Sequence, residues 1–331
     1  MIRRGRLACL AALALAGVPG CGRTSDESPA SPRKVRVSFT RHLSWGPLMI
    51  ADAEGFFADE NLDVEFVPLM RPEESLVALV TGDIDVRPGP LSAGMLSAIA
   101  RGATVRIVAG MGNLEAGSCT YYGIVLRPGL DTAGTPRIRR MRASQDGATR
   151  FIAEHMLSQR NMTFGGIETV RVPEAVMAMA LESGSLDAVA WSEPALTRLK
   201  KVGTLWLSGQ DAVPGFQWAV VVFGDRLLNR ERDTGMRFIR AYQRGVAQYR
   251  QGKTERNVEI IARATEETPE HTREVCWPDF RPDSRINWES IAAFQRWANG
   301  EGFMNRTLTL EQAFDSSFMA ADALAASSRS P

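Results

Sequence analysis

The aromatic residues Trp45, Tyr121, Tyr122, Trp191 and Trp218 offer flat faces that could sandwich a planar or apolar ligand. For any one of them the alternative is a plug between packed elements. Ser92, Ser144 and Thr149 stand at the expected starts of helices, where a hydroxyl either orients a ligand or simply caps the helix. Pro90 lies in the same loop as Ser92. Glu193 carries the sharpest chemistry. In the turn Trp191-Ser192-Glu193-Pro194 a carboxylate would repel a bare sulfonate or nitrate and favour a donor-rich ligand such as an amine or an aminopyrimidine. Arg87 and Arg150 pull the other way, toward an anion, and for all three charges the alternative is a salt bridge or a rim position.

Turnover is harder to find. No G-x-S-x-G, G-x-x-x-x-G-K-[ST] or H-E-x-x-H motif occurs, so no catalytic residue is expected. Asp83 and Asp85 would share a strand face and could act as an acid–base pair. The matching place in the second half holds Ser185 and Asp187, which favours a turn role instead. His42, His155 and His271 are far apart and no C-x-x-C exists, so neither a metal site nor a cofactor is expected. Setting Cys9 and Cys21 aside leaves Cys119 and Cys276. These are a possible disulfide in an oxidising compartment, or two small buried thiols.

These residues hang on an alternation of short β-branched runs and helical stretches, which implies a largely parallel α/β sheet. Strands are expected at Val35–Thr40, Leu62–Val67, Ile84–Val86, Val105–Ala109, Gly123–Arg127, Arg137–Ala143, Asp187–Ala190, Gly203–Leu207 and Trp218–Phe223. Helices are expected at Leu48–Phe57, Pro72–Val80, Leu91–Ala100 and Glu174–Leu181. Later helices are expected at Thr234–Arg250, Asn257–Ala264, Pro269–Val275, Trp288–Ala298 and Leu310–Met319. The halves repeat each other. Val67-Pro68 and Gly82-Asp83-Ile84-Asp85 in the first correspond to Val172-Pro173 and Gly184-Ser185-Leu186-Asp187 in the second. Two similar α/β lobes follow, with ligand loops beyond the carboxyl ends of their parallel strands.

The first twenty residues are an address. A basic head (Arg3, Arg4, Arg6), the apolar run Leu7–Val18 and the exit Val18-Pro19-Gly20-Cys21 describe a secretory signal too short to span a bilayer. Cys directly after Gly resembles the lipobox of bacterial lipoproteins, in which the Cys carries the lipid. Gly22–Lys34 has no large apolar residue and reads as a solvated tether with a reach of about 20 Å. The body is thus expected to be soluble and extracytoplasmic. Lys+Arg total 39 against 38 Asp+Glu, with no basic block, which leaves no electrostatic footprint for nucleic acid.

Trp45-Gly46-Pro47-Leu48 with Ala51, Glu54-Gly55-Phe56-Phe57 and Asn61–Pro68 resemble the opening of periplasmic substrate-binding proteins of ABC importers. The group resembled is the nitrate/sulfonate/taurine and thiamine-pyrimidine-precursor one. Gly82–Val86, Ala100-Arg101-Gly102, Val105–Ala109 and Gly184–Ala188 are similar to later parts of the same family. The resemblance implies an α/β, two-lobed type II periplasmic-binding-protein fold, each lobe a mostly parallel sheet flanked by helices. Crossings would fall near Leu126–Arg137 and Gly209–Trp218. Expected boundaries are 1–20 for the signal, 21–34 for the lipidated Cys and tether, 35–127 for lobe I, 128–212 for lobe II and 213–331 for the return to lobe I. It further implies a monomer that binds a small molecule (an aminopyrimidine, a sulfonate or a relative) and docks on an ABC permease, held to the membrane by its lipid. Two alternatives stay open. One is an enzyme on the same fold acting on a pyrimidine-like ring, with Glu193 or His42 as acid or base; the other is a ligand-sensing lipoprotein.

Overall fold

Two five-stranded sheets of the same plan organise the chain. The computed structural model describes residues 31–68 and 71–319; the expected signal, Cys21 and most of the tether lie outside the described residues. In the first sheet β1 (Arg33–Phe39) lies parallel to both β2 (Leu62–Pro68) and β3 (Val86–Pro90). The remaining two strands are β4 (Arg106–Leu114) and β10 (Phe216–Phe223), with β10 antiparallel between β3 and β4. The order is β2-β1-β3-β10-β4.

The second sheet repeats the plan with β6 (Arg140–Arg142) parallel to β7 (Glu168–Val170) and β8 (Ala188–Ser192). There β5 (Tyr122–Leu126) runs antiparallel between β8 and β9 (Thr204–Ser208), giving β7-β6-β8-β5-β9. Each sheet thus has one strand inserted antiparallel to the other four, which run the same way and give each lobe a single set of carboxyl-terminal loops.

The repeated Gly-x-x-Asp turns explain part of this symmetry. The Asp85 amide donates to the Arg36 carbonyl, and its carboxylate accepts the Arg36 amide at 2.8 Å. The Asp187 amide likewise donates to the Arg140 carbonyl, and its carboxylate accepts the Arg139 and Arg140 amides. Each aspartate therefore pins the start of its lobe's third strand to the first. Arg226 and Arg36 pair with Asp85, and Arg127 with Asp187. Asp83 lies apart, accepting from the Thr81 hydroxyl, so the Asp83–Asp85 acid–base pair does not form.

Helices follow the apolar periodicity. α1 (Gly46–Ala53) and α2 (Phe56–Asp59) replace the single expected helix, because Gly55 between them takes a left-handed φ of 75°. α3 (Pro72–Thr81) and α4 (Ala93–Ala100) complete the first half, and α5 (Gly147–Ser158), α6 (Glu174–Glu182), α7 (Ala195–Lys200) and α8 (Gly209–Ala212) belong to the second. α9 (Arg232–Tyr249) buries Phe238, Ala241, Tyr242, Gly245, Val246 and Tyr249, the six residues placed on one face by their spacing. It crosses α1 closely enough that a Cβ on Gly245 would stand 2.1 Å from the Pro47 carbonyl oxygen.

α10 (Glu255–Thr265), α11 (Pro269–Glu274) and α12 (Trp288–Gly300) follow, and α13 (Leu310–Ala313) ends early, giving way to a short 3-10 turn at Ser316–Phe318. Trp277 stacks on Tyr249 at 5.1 Å and Trp297 packs on Phe294 at 5.4 Å, so these tryptophans serve packing.

One crossing differs from the expectation. The chain leaves the first sheet after Leu114 and enters the second at Tyr122, so residues 115–121 cross, not Leu126–Arg137. Tyr122–Leu126 is buried throughout and has no polar face, so its pattern could not say which sheet it joins. The return crossing, between Ser208 and Phe216, falls where expected.

Candidate ligand-binding cleft

Strand ends and helix starts from both sheets converge. β3 runs through Pro90-Leu91-Ser92 into α4, and β6 runs through Ser144 into α5. Between them lies a cavity of about 420 Å³ lined by Pro90, Leu91 and Ser92 from one lobe and Ser144, Gly147 and Thr149 from the other. Four of the expected site residues, Pro90, Ser92, Ser144 and Thr149, therefore share one space. The Ser92 hydroxyl oxygen accepts the Met95 amide at 3.2 Å, which leaves its proton to donate into the cavity.

The lobes touch at this point. The Ala148 amide donates to the Leu91 carbonyl at 3.1 Å, while the Leu91 amide donates to the Trp218 carbonyl at 2.8 Å. Gly147 starts α5 at a left-handed φ of 71°, with the Leu91 oxygen 3.6 Å from where a Cβ would be. One of the free amides of the α5 N-terminus is thus spent on a backbone carbonyl of the opposite lobe.

Two carboxylates, Glu73 and Asp146, also line this cavity. Arg87 lies under α3 and α4. Its Nε donates to the Ser75 hydroxyl at 3.0 Å, and burial pulls its pKa down to about 10 despite the opposing charge of Glu73.

Trp45, Tyr121 and Trp218, expected at the site, do not line this cavity; they form a buried aromatic cluster that the sequence reading assembled only in part. Trp45, Tyr121 and Trp218 surround His42, with ring centroids 6.1–6.2 Å from the imidazole, and Trp45 lies against Gly89. The Ser44 amide donates to Nδ1, which fixes Nδ1 as an acceptor, and Tyr121 Oη lies 3.2 Å from the same atom. Nε2 therefore carries the proton and faces Ser192 Oγ at 3.4 Å. Burial pushes the His42 pKa down to about 4, against weaker opposing effects of the Glu174 charge and the Glu193 backbone. This cluster joins the loop after β1, the first crossing and the end of β8. His42 and Ser192 alone are 150 residues apart, so only the positions of these residues at strand ends hinted at the cluster.

Three expected site residues face elsewhere. Glu193 is fully buried; its carboxylate accepts from the Thr197 amide at 2.8 Å, the Thr197 hydroxyl at 2.7 Å and the Cys276 amide at 3.4 Å, with Lys200 at 3.5 Å. It thereby holds the first turn of α7 and the Cys276 amide in place. Tyr122 is buried in the second lobe, donating to the Ala190 carbonyl at 3.4 Å. Trp191 lies under Arg142, whose guanidinium is 4.0 Å from the ring centroid, and its Nε1 donates to Glu174. Arg150 pairs with Glu154 at 2.9 Å.

Cys119 and Cys276 are joined as a disulfide, which links the first crossing to the segment after α11. Among the described residues no group of three His, Cys, Asp or Glu side chains is placed to hold a metal ion. No helix among them is long and apolar enough to cross a membrane.

Solved structures share this architecture. A ligand-binding component of an ABC-type import system from Staphylococcus aureus, with zinc bound, superposes with a TM-score of 0.69 at 14% identity, over 86% of this chain and 97% of that one. The periplasmic aliphatic sulphonate binding protein SsuA from Escherichia coli gives 0.67 at 15% identity, over 85% and 97%. The desulfurization enzyme DszB gives 0.66 at 13% identity, over 89% and 99%. The fold is accordingly the two-lobed periplasmic-binding-protein type. No curated protein sequence matches the chain. The family model described as "NMT1/THI5 like" matches residues 43–252, a span that takes in the cleft and most of both sheets. This chain belongs to the NMT1/THI5-like family.

Proposed function

We propose that this chain is the solute-binding component of an ABC importer, exported and lipid-anchored through Cys21, which captures one small organic molecule between its lobes without transforming it. The observation that carries this reading is the cavity of about 420 Å³ at which the carboxyl-end loops of both sheets meet. That volume suits a small organic molecule. Closure follows from differential affinity, because only the state in which both lobes touch the ligand gains its full contacts. The permease then recognises the closed form, and the anchor raises the binder's effective concentration beside it. The chain is expected to act as a monomer outside the cytoplasm, with lobe I at 32–114 and 216–319 and lobe II at 122–208. The cited relatives support a binder through shared fold alone.

The rival reading is an enzyme, favoured by one contact, Ser192 Oγ at 3.4 Å from His42 Nε2, and by DszB on the same fold. Against it, Nε2 carries the proton and would have to receive another from Ser192. A base with a pKa near 4 is also weak at neutral pH.

The test is a thermal-shift panel of aminopyrimidines, alkyl sulfonates, nitrate, aromatic acids and ω-amino acids, with recovery of each compound. A ligand at 100 times its Kd should add about 2.7 kcal/mol of stability and be recovered unchanged. The double substitution Ser144→Ala, Thr149→Val should weaken that ligand at least tenfold while leaving the melting temperature of the free chain nearly unchanged. Conversion of a compound would transfer the claim to the enzyme reading, and silence across the panel would remove the solute-binding reading.

A further inference from the structure

Away from the cavity, the lobes are held together again where α11 meets α7. The arm formed by residues 267–276, which carries α11, belongs to lobe I. Lys253 Nζ donates to its Arg273 and Val275 carbonyls at 2.7 and 2.8 Å, and Trp277 beyond it stacks on Tyr249 of α9. Its other side faces lobe II. Arg198 Nη1 in α7 lies 3.1 Å from Glu267 Oε1 and donates to His271 Nε2 at 2.9 Å. Lys201, just after α7, pairs with Glu274 at 2.9 Å. The Cys276 amide adds one more contact, to the Glu193 carboxylate that holds the first turn of α7. None of these residues lines the cavity between Ser92 and Ser144.

The arm is also tied covalently to the hinge. Cys276 is bonded to Cys119 in the first crossing, and the Cys119 carbonyl accepts from Gln210 Nε2, in the second crossing, at 2.8 Å. Both crossings and the arm therefore converge on one disulfide. Its two residues differ in access, since Cys276 is buried and Cys119 is exposed.

We propose that residues 267–276 are a redox-set brace between the lobes: the Cys119–Cys276 disulfide holds the arm against α7, and its reduction lets the lobes part. The ion pairs are partly exposed and individually weak, so they grip together only while the bond keeps the arm beside its partners. A dithiol reductant supplies the two electrons. Its thiolate attacks Cys119 Sγ, the S–S bond breaks, and Cys276 leaves as a thiolate that takes up a proton. The second thiolate of the reductant then displaces Cys119, which is protonated in turn, and the reductant ends as its own disulfide. Once freed from the crossing, the arm loses its register on α7, and the hinge loses a tie that restrains it. The inference goes beyond the solute-binding reading and does not depend on it.

The experiment is hydrogen–deuterium exchange of the full chain, free of added solute, with and without a dithiol reductant. The reporter is the Ala148 amide, which lies outside the brace and donates to the Leu91 carbonyl of the opposite lobe. Reduction should speed exchange threefold or more in the peptide carrying Ala148 and in α7 and α11, while the buried strand β10 keeps its protection. Glu267→Gln combined with Glu274→Gln should give the same acceleration at Ala148 in the oxidised chain. Both changes lie on the arm and leave the Arg198–Glu174 pair within lobe II in place. Reduction of that variant should then add less than twofold, because bond and ion pairs act through one arm. Unchanged exchange at Ala148 on reduction or in the variant would overturn the inference. So would effects that simply multiply, or equal acceleration in β10, the mark of general unfolding. None of these results bears on the solute-binding reading, which the thermal-shift panel tests by itself.

Discussion

At the scale of single residues the cleft separates groups that hold the protein together from groups left for a partner. Glu193 belongs to the first kind, with both carboxylate oxygens taken by Thr197, Cys276 and Lys200. Glu193→Gln should therefore cost about 1–3 kcal/mol of stability by denaturant titration and change ligand affinity less than about threefold. His42 gives a pH signature. Its folded pKa, about 4, lies below the ordinary 6.5, so the unfolded chain binds the proton more readily between those values. The stability it contributes is fully present above pH 6.5 and is lost as pH falls toward 4. Melting curves across that window should show the wild type losing on the order of 3 kcal/mol more than His42→Gln by pH 4. Much of this scale was invisible in the sequence. That Ser92, Ser144 and Thr149 line one cavity was legible because helix starts after strands can be read locally. The partners of Glu193 could not be read in that way, because the Cys276 amide it accepts from is 83 residues away.

Elements were more legible, because their signal is periodic and local. The six apolar positions of α9 and the Val-rich run of β10 are buried as their patterns require. The Val-Pro and Gly-x-x-Asp repeats foreshadowed two sheets of one plan, and Asp85 and Asp187 supply the physical reason. The failures came where local pattern meets distant partners: Tyr122–Leu126 could pair in either sheet, and Gly55 broke a helix that its neighbours favour. Close packing of α1 on α9 makes its own prediction. Gly245→Ala would drive a methyl group into the Pro47 carbonyl, so the melting temperature should fall by the equivalent of about 1–3 kcal/mol without loss of helix content by circular dichroism. An unchanged melting temperature would contradict this crossing.

The molecule as a whole is two lobes joined by two crossings, and one of the crossings is tied by a disulfide to a segment far along the chain. The bond closes a loop of 157 residues, so reduction, or Cys119→Ser, should cost about 3–5 kcal/mol by loop entropy, read as a lower melting temperature in reductant. The lobes meet through Ala148 and Leu91, which both line the cavity. The central claim is that this cleft holds one small molecule and releases it unaltered. Native mass spectrometry of the chain with the best stabilising compound tests it most directly, with the compound analysed after release. The account predicts one copy per chain, lost together with its stabilising effect in the Ser144→Ala, Thr149→Val variant, and an unchanged mass after prolonged incubation. A released compound of altered mass, or binding that persists in that variant, would contradict it.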